Sequence, residues 1–191
     1  MKIVLNLMNK KDLSMNNIAV VASGRSLLEF EIFRESKWTA IYLVNDAIMR
    51  FGTDPYSAWV FMDEIMLHRY GTGAHAVVCP TDYKDKFLCW TELVREIKEG
   101  EDFCSFTTPI FCKWIWDNYV DYNLHLFGVD MIGDGRVCVH NERWFRESRW
   151  LKKYLPVGRT SIHSTLMDNR VKYYLLNQEA PLSLLSEAYP I

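Results

Sequence analysis

Residues 18–27 read Ile-Ala-Val-Val-Ala-Ser-Gly-Arg-Ser-Leu, an unbroken apolar run that turns straight into a small polar corner centred on Gly24. Such a run does not alternate, so both of its sides are buried, which is how a strand inside a parallel sheet reads. Leu27 to Phe33 then carries helical spacing. The corner therefore joins a buried strand to a helix, the opening half of a β-α-β unit.

The same grammar recurs along the chain. Apolar runs at 39–44 (TAIYLV), 58–62 (AWVFM), 74–79 (AHAVVC), 123–128 (NLHLFG) and 171–176 (VKYYLL) read as further strands. Between them, 63–70, 88–97, 110–120 and 141–155 read as helices. Thr107-Thr108-Pro109 suits a helix start, where hydroxyl caps and a missing amide proton both fit. Pro156-Val157-Gly158 stops the basic helix before it. This alternation predicts an α/β fold, Rossmann-like, with an open, mostly parallel sheet and helices on both faces. Residues 1–17 read as an arm or edge strand, and 18–191 as one nucleotide-binding domain. The least regular internal stretch, 156–170 (PVGRTSIHSTLMDNR), reads as a mobile flap.

Composition narrows the class. Of the 191 residues, 49% are hydrophobic and 24% charged, the balance of a globular protein. A net charge of -2 gives no overall attraction to nucleic acid or an anionic membrane. Five cysteines without a CxxC pair suggest neither a disulfide framework nor a zinc site, and fit free thiols in a reducing cytosol. No apolar stretch approaches the roughly 20 residues of a membrane span, so a soluble, cytoplasmic protein is expected.

In an open parallel sheet, ligands bind beyond the carboxyl ends of the strands, where strand order reverses. Polar residues that follow strands are therefore the candidates: Ser23, Gly24, Arg25 and Ser26 after the first, Asn45 and Asp46 after the second, Asp63 and Glu64 after the third. Asp130 and the glycines around it follow the strand that ends near Phe127. Gly24 lets backbone approach a ligand, the next helix offers amides to an anion, and Arg25 adds a positive charge that can pair with phosphate. The corner lacks the GxGxxG and P-loop patterns. Asp63 and Asp130 could equally cap helices, and Arg143, Arg146, Arg149, Lys152 and Lys153 form a stripe that a solvated helix face explains.

Three stretches carry a resemblance: VVASGRSL (20–27), FTTPIFCKWIWDNYVDYNLHLFGVDMIGDG (106–135) and VKYYLLNQEAPLSLL (171–185). In this order they resemble the GNGPSL corner, the I-x-L-x-G-x-D strand and the last strand of a superfamily. It holds the bacterial sialyltransferases and the archaeal-type hydroxymethylpterin pyrophosphokinases. The resemblance implies a transferase that uses a nucleotide-activated donor: a cytidine monophosphate sugar without essential metal in the first group, ATP with magnesium in the second. It places Ser23–Ser26 at the donor phosphate, Asn45 at the nucleotide, Asp63 at a family asparagine or aspartate, and Thr108, beside Thr107, at a donor-contacting serine. Ser23 and Arg25 stand where the family has asparagine and proline, and the family's tyrosines after the G-x-D strand are absent.

Transfer of a sugar to a hydroxyl gains from a base active near neutrality, which points to histidine. His140, close to the family's catalytic histidine, is the first candidate and His163 the second. His125, alternating with leucines, reads as a satisfied core residue. The leading expectation is a glycosyltransferase-like enzyme acting on a glycan, another hydroxyl compound or a modified DNA base, the last in a viral setting. It would need no metal, with Asp130 orienting the acceptor. The alternatives are an ATP- and magnesium-dependent phosphotransferase, with Asp63 and Asp130 as oxygen ligands, and a non-catalytic nucleotide- or partner-binding domain.

Overall fold

The computed structural model describes residues 15–52, 58–61, 107–131 and 141–189. Among these residues, five strands form one sheet: β1 (Asn16–Val21), β2 (Ala40–Val44), β3 (Ala58–Val60), β4 (Tyr122–Phe127) and β5 (Thr160–Ile162), in the order β3-β2-β1-β4-β5. All four pairings are parallel. Val21 of β1 stands level with Leu43 of β2 and Phe127 of β4, so the strands end together along one carboxyl edge.

After β1, a 3-10 turn (Arg25–Glu29) runs into α1 (Phe30–Phe33), and α2 (Ala47–Phe51) follows β2. Phe30, Ala47 and Phe51 pack on one face of the sheet, against Ala19, Val21, Leu43 and Phe127. On the other face lie α3 (Thr107–Asn118), α4 (Asn141–Lys153), α5 (Asn169–Leu176) and α6 (Ser183–Ala188). Phe111, Ile115, Leu151, Val171 and Leu185 from these helices meet Ile18, Val20, Leu124 and Leu126. Neighbouring strand residues thus enter opposite cores, which explains why β1 carries no hydrophobic alternation from Ile18 onward. The expected α/β architecture with helices on both faces is the one found. Among the described residues, no helix is long and apolar enough to cross a membrane.

Two local expectations are corrected. Residues 171–176 are not a strand but most of α5. Val171, Tyr174 and Leu175 are its buried residues, a spacing of three and four, and Asp168 caps the start by accepting a hydrogen bond from the Arg170 amide. A six-residue apolar run fits strand and helix equally well, and here the cap and the spacing decide. Nor is 156–170 one irregular flap: Thr160–Ile162 pairs with Leu124–Leu126 as the outermost strand on that side among the described residues. Its polarity reflects that position, because only Ile162 of the three is buried. Elsewhere the expected helix at 27–33 begins as the 3-10 turn, and α3 starts at Thr107. The elements expected at 63–70, 74–79 and 88–97 lie outside the described residues.

Candidate functional site

Strand order reverses between β1 and β4, and the two loops that leave these strands interlock there. The Gly24 amide donates to the Gly128 carbonyl at 2.9 Å, and the Ala22 amide to the Phe127 carbonyl at 2.8 Å. The approach is too close for side chains. A Cβ on Gly24 would stand 2.2 Å from the Gly128 oxygen, and one on Gly128 would stand 2.3 Å from the Ala22 oxygen. Gly128 also has φ +65, in the left-handed region.

Asp130 is the acid at this joint. Its carboxylate is buried and reaches back across 104 residues of sequence to accept a hydrogen bond from the Ser26 amide at 3.0 Å and a second from the Ser26 hydroxyl. A carboxylate at the start of a helical turn satisfies an amide left free there, the same physics that would hold a phosphate. The protein thus supplies its own anion to the Ser26 amide. Ser23 and Arg25 remain exposed on the outer side of the corner.

Asn45 leaves β2 with φ +50. Its amide donates to the Val60 carbonyl at 2.8 Å, and its own carbonyl accepts from the Trp59 indole at 2.8 Å. The side-chain Nδ2 donates to Thr107 Oγ1 at 3.3 Å. Thr107, buried, begins the twelve-residue α3, with half-buried Thr108 beside it. Asn45 and Thr107, singled out separately in the sequence, are therefore in contact at the rim.

A third corner, missed in the sequence, follows β5. The Ser164 hydroxyl, fully buried, accepts from the Val129 amide at 2.7 Å, in the loop that carries Asp130. Glu29 accepts from the Thr165 amide at 3.1 Å and from its hydroxyl. Ser-Thr following a strand is the signal, and it was hidden because β5 itself was not recognised.

His163 is not on a flap. It extends β5, its amide donating to the Leu126 carbonyl at 2.8 Å, and its Nε2 lies 3.1 Å from His125 Nδ1. Burial first, then His125 and Lys172, pull its pKa down to about 4 against the opposing charge of Glu29. Burial also lowers that of His125. Both rings are neutral at pH 7 and pack with Phe33, Trp38 and Phe127 on the flank of the sheet. Buried Cys112 on α3 has its thiol pushed up to about 12 by burial, which keeps it unreactive. His140 and Asp63 lie outside the described residues. Among the described residues no group of three or more His, Cys, Asp or Glu side chains is placed to hold a metal ion.

Fold and rim together define the class: a doubly wound, Rossmann-like α/β protein with polar strand ends on both sides of its switch point. Comparison with protein-family models, with curated proteins and with solved structures found no match.

Proposed function

We propose that this chain is a nucleotide-binding transferase that moves a sugar from a nucleotide-activated donor to an acceptor hydroxyl. The observation that carries the reading is the convergence of Ser23–Ser26, Asn45, Thr107 and Asp130 on the carboxyl edge of a sheet whose order reverses between β1 and β4. Open α/β sheets take nucleotides at that place. The donor lies across this rim. Arg25 and Ser23, both exposed, face its phosphate, and the Asn45–Thr107 pair offers a donor and an acceptor to its nucleoside or sugar.

Asp130 has a defined part in this scheme. With its carboxylate on Ser26, the phosphate is kept out of the turn and drawn toward Arg25. Asp130 is then a positioning residue that acts through Ser26, rather than a group that orients the acceptor. His140 is the proposed base for the acceptor proton, on the sequence argument. The acceptor is a glycan or another hydroxyl compound, a hydroxylated DNA base among them.

Thermal-shift titration with CMP, UDP, GDP and ATP, each with and without magnesium, tests the proposal. A ligand at about a hundred times its Kd stabilises by about 2.7 kcal/mol. Metal-independent stabilisation by a pyrimidine or guanine nucleotide, lost in Arg25→Ala and Asn45→Ala, is the expected result. Stabilisation by ATP only with magnesium would replace glycosyl transfer by phosphotransfer, and no response to any nucleotide would sink both.

A further inference from the structure

His125 and His163 meet head to head. Their ring centroids are 5.4 Å apart with planes within 8°, while His125 Nδ1 and His163 Nε2 are only 3.1 Å apart. Nitrogens so much closer than the rings lie between them and point at each other. One must donate a proton and the other must accept it.

The surroundings leave the pair little room to adjust. The Phe127 ring lies 4.5 Å from that of His163 and within 8° of parallel, Phe33 of α1 stands at 4.5 Å, and Trp38 meets His125 edge-on at 5.0 Å. None of these rings carries a charge. The charged groups acting on His163 are Glu29 of the 3-10 turn and Lys172 of α5, with the partner imidazole as the third titratable group. One favours and one opposes an added proton, so the imidazoles themselves decide the outcome.

The pair sits where the edge strand is weakest. β5 has three residues, and the backbone bond from His163 to Leu126 is the last before the chain turns to Ser164 and Thr165. Those two residues tie the corner to Val129 and Glu29. We propose that the His125–His163 pair is a proton-operated clasp that holds β5 and its Ser164–Thr165 corner in place, and opens on acidification. A first proton from solvent enters at an outer nitrogen, His125 Nε2 or His163 Nδ1, and leaves the shared bond intact. A second must take the lone pair between the rings. Two N–H groups and two positive charges then oppose each other, and the clasp parts. Burial delays both steps to below neutrality, since it lowers each imidazole's affinity for protons.

Native-state amide exchange, corrected for intrinsic rates, reads the clasp between about pH 7.5 and about pH 4.5. The His163 and Val129 amides are the reporters and the Ala22 amide, in the sheet centre, is the reference. Relative protection of both reporters is expected to fall at least about tenfold on acidification, and to stay within about twofold in His163→Phe. Equal protection at both ends of the range, or an unchanged response in His163→Phe, overturns the proposal. Should that variant fold poorly, imidazole nitrogen NMR of the unaltered protein decides. One protonated and one bare inner nitrogen at neutral pH support the clasp, whereas two independent titrations near about 6.5 reject it.

Discussion

On one face of the sheet, Ile18, Val20, Leu124 and Leu126 meet four helices across a core whose buried side chains are mostly aliphatic, with Tyr42, Phe111, Tyr122 and Tyr174 among them. On the other, among the described residues, Ala19, Val21, Leu43 and Phe127 meet a 3-10 turn and two short helices, and aromatic rings supply most of the bulk. Phe30 is the hub of that second face, edge-on to Phe51 at 5.4 Å and to Phe127 at 5.1 Å. Aliphatic burial is non-directional and tolerates a change of shape, whereas ring contacts depend on angle. The aromatic face also accepts polar rings, and toward β5 it continues as His125 and His163.

The largest expected losses test that contrast. Phe30→Ala should cost about 4 kcal/mol and Leu124→Ala about 3 kcal/mol, as both side chains are fully buried. The sharper comparison uses milder changes. Phe30→Leu should lose about 1 kcal/mol of ring geometry beyond its volume term, while Leu124→Met should stay below about 1.5 kcal/mol in total. Urea midpoints at constant slope measure both. If Phe30→Leu costs no more than Leu124→Met, the two faces do not differ in kind.

Next come the residues where the two loops cross. Gly24→Ala puts a methyl group 2.2 Å from a backbone oxygen, which only main-chain movement can relieve. About 3 kcal/mol is expected, the upper end of overpacking. Asp130→Ala strips the acceptor from the Ser26 amide and hydroxyl and should cost about 2 kcal/mol. Asp130→Asn can still accept from that amide and should cost less. It also removes the negative charge, so under the proposed function it should tighten nucleotide binding in the same thermal-shift titration.

Much of this fold could be read because buried parallel strands announce themselves. Ile18–Val21, Ala40–Val44 and Leu124–Phe127 lie within the runs expected for them, the first two with both sides apolar. Thr160–Ile162 escaped notice because an edge strand of three residues with one buried side chain has no apolar run to show. Residues 171–176 misled because tyrosine, valine and leucine suit strand and helix alike, and the deciding feature was the Asp168 cap three residues earlier. At the rim, the sequence could mark Asn45 and Thr107 as polar residues at element ends. Their contact across 62 residues, like that of Ser26 with Asp130, exists only once the sheet has aligned the ends of β1, β2 and β4.

A pH series separates the histidine flank from the rest of the aromatic face. His163 has its pKa lowered to about 4 in the fold, against about 6.5 in an unfolded chain. The folded state therefore binds fewer protons than the unfolded state between these values. Its contribution is complete above about 6.5 and declines as pH falls toward about 4. Tm should drop over that window in the native protein and drop less in His163→Phe, by scanning calorimetry. Equal slopes would show that carboxylates elsewhere, not the imidazoles, set the acid response.

The smallest effect belongs to the outer side of the same face. Phe30 and Phe33 of α1 turn toward the sheet, which leaves Ile32 between them pointing outward and 80% exposed. A single exposed isoleucine contributes little to folding, so Ile32→Ser should change stability by no more than about 0.5 kcal/mol. The value of so small a number lies in what a larger one would mean. Loss of about 2 kcal/mol would require Ile32 to be buried in solution, against another part of the chain or another body. Sedimentation of the native and Ile32→Ser proteins at several concentrations would then show whether that body is a second copy. If both sediment as one species of unchanged mass, a second copy is not what covers Ile32.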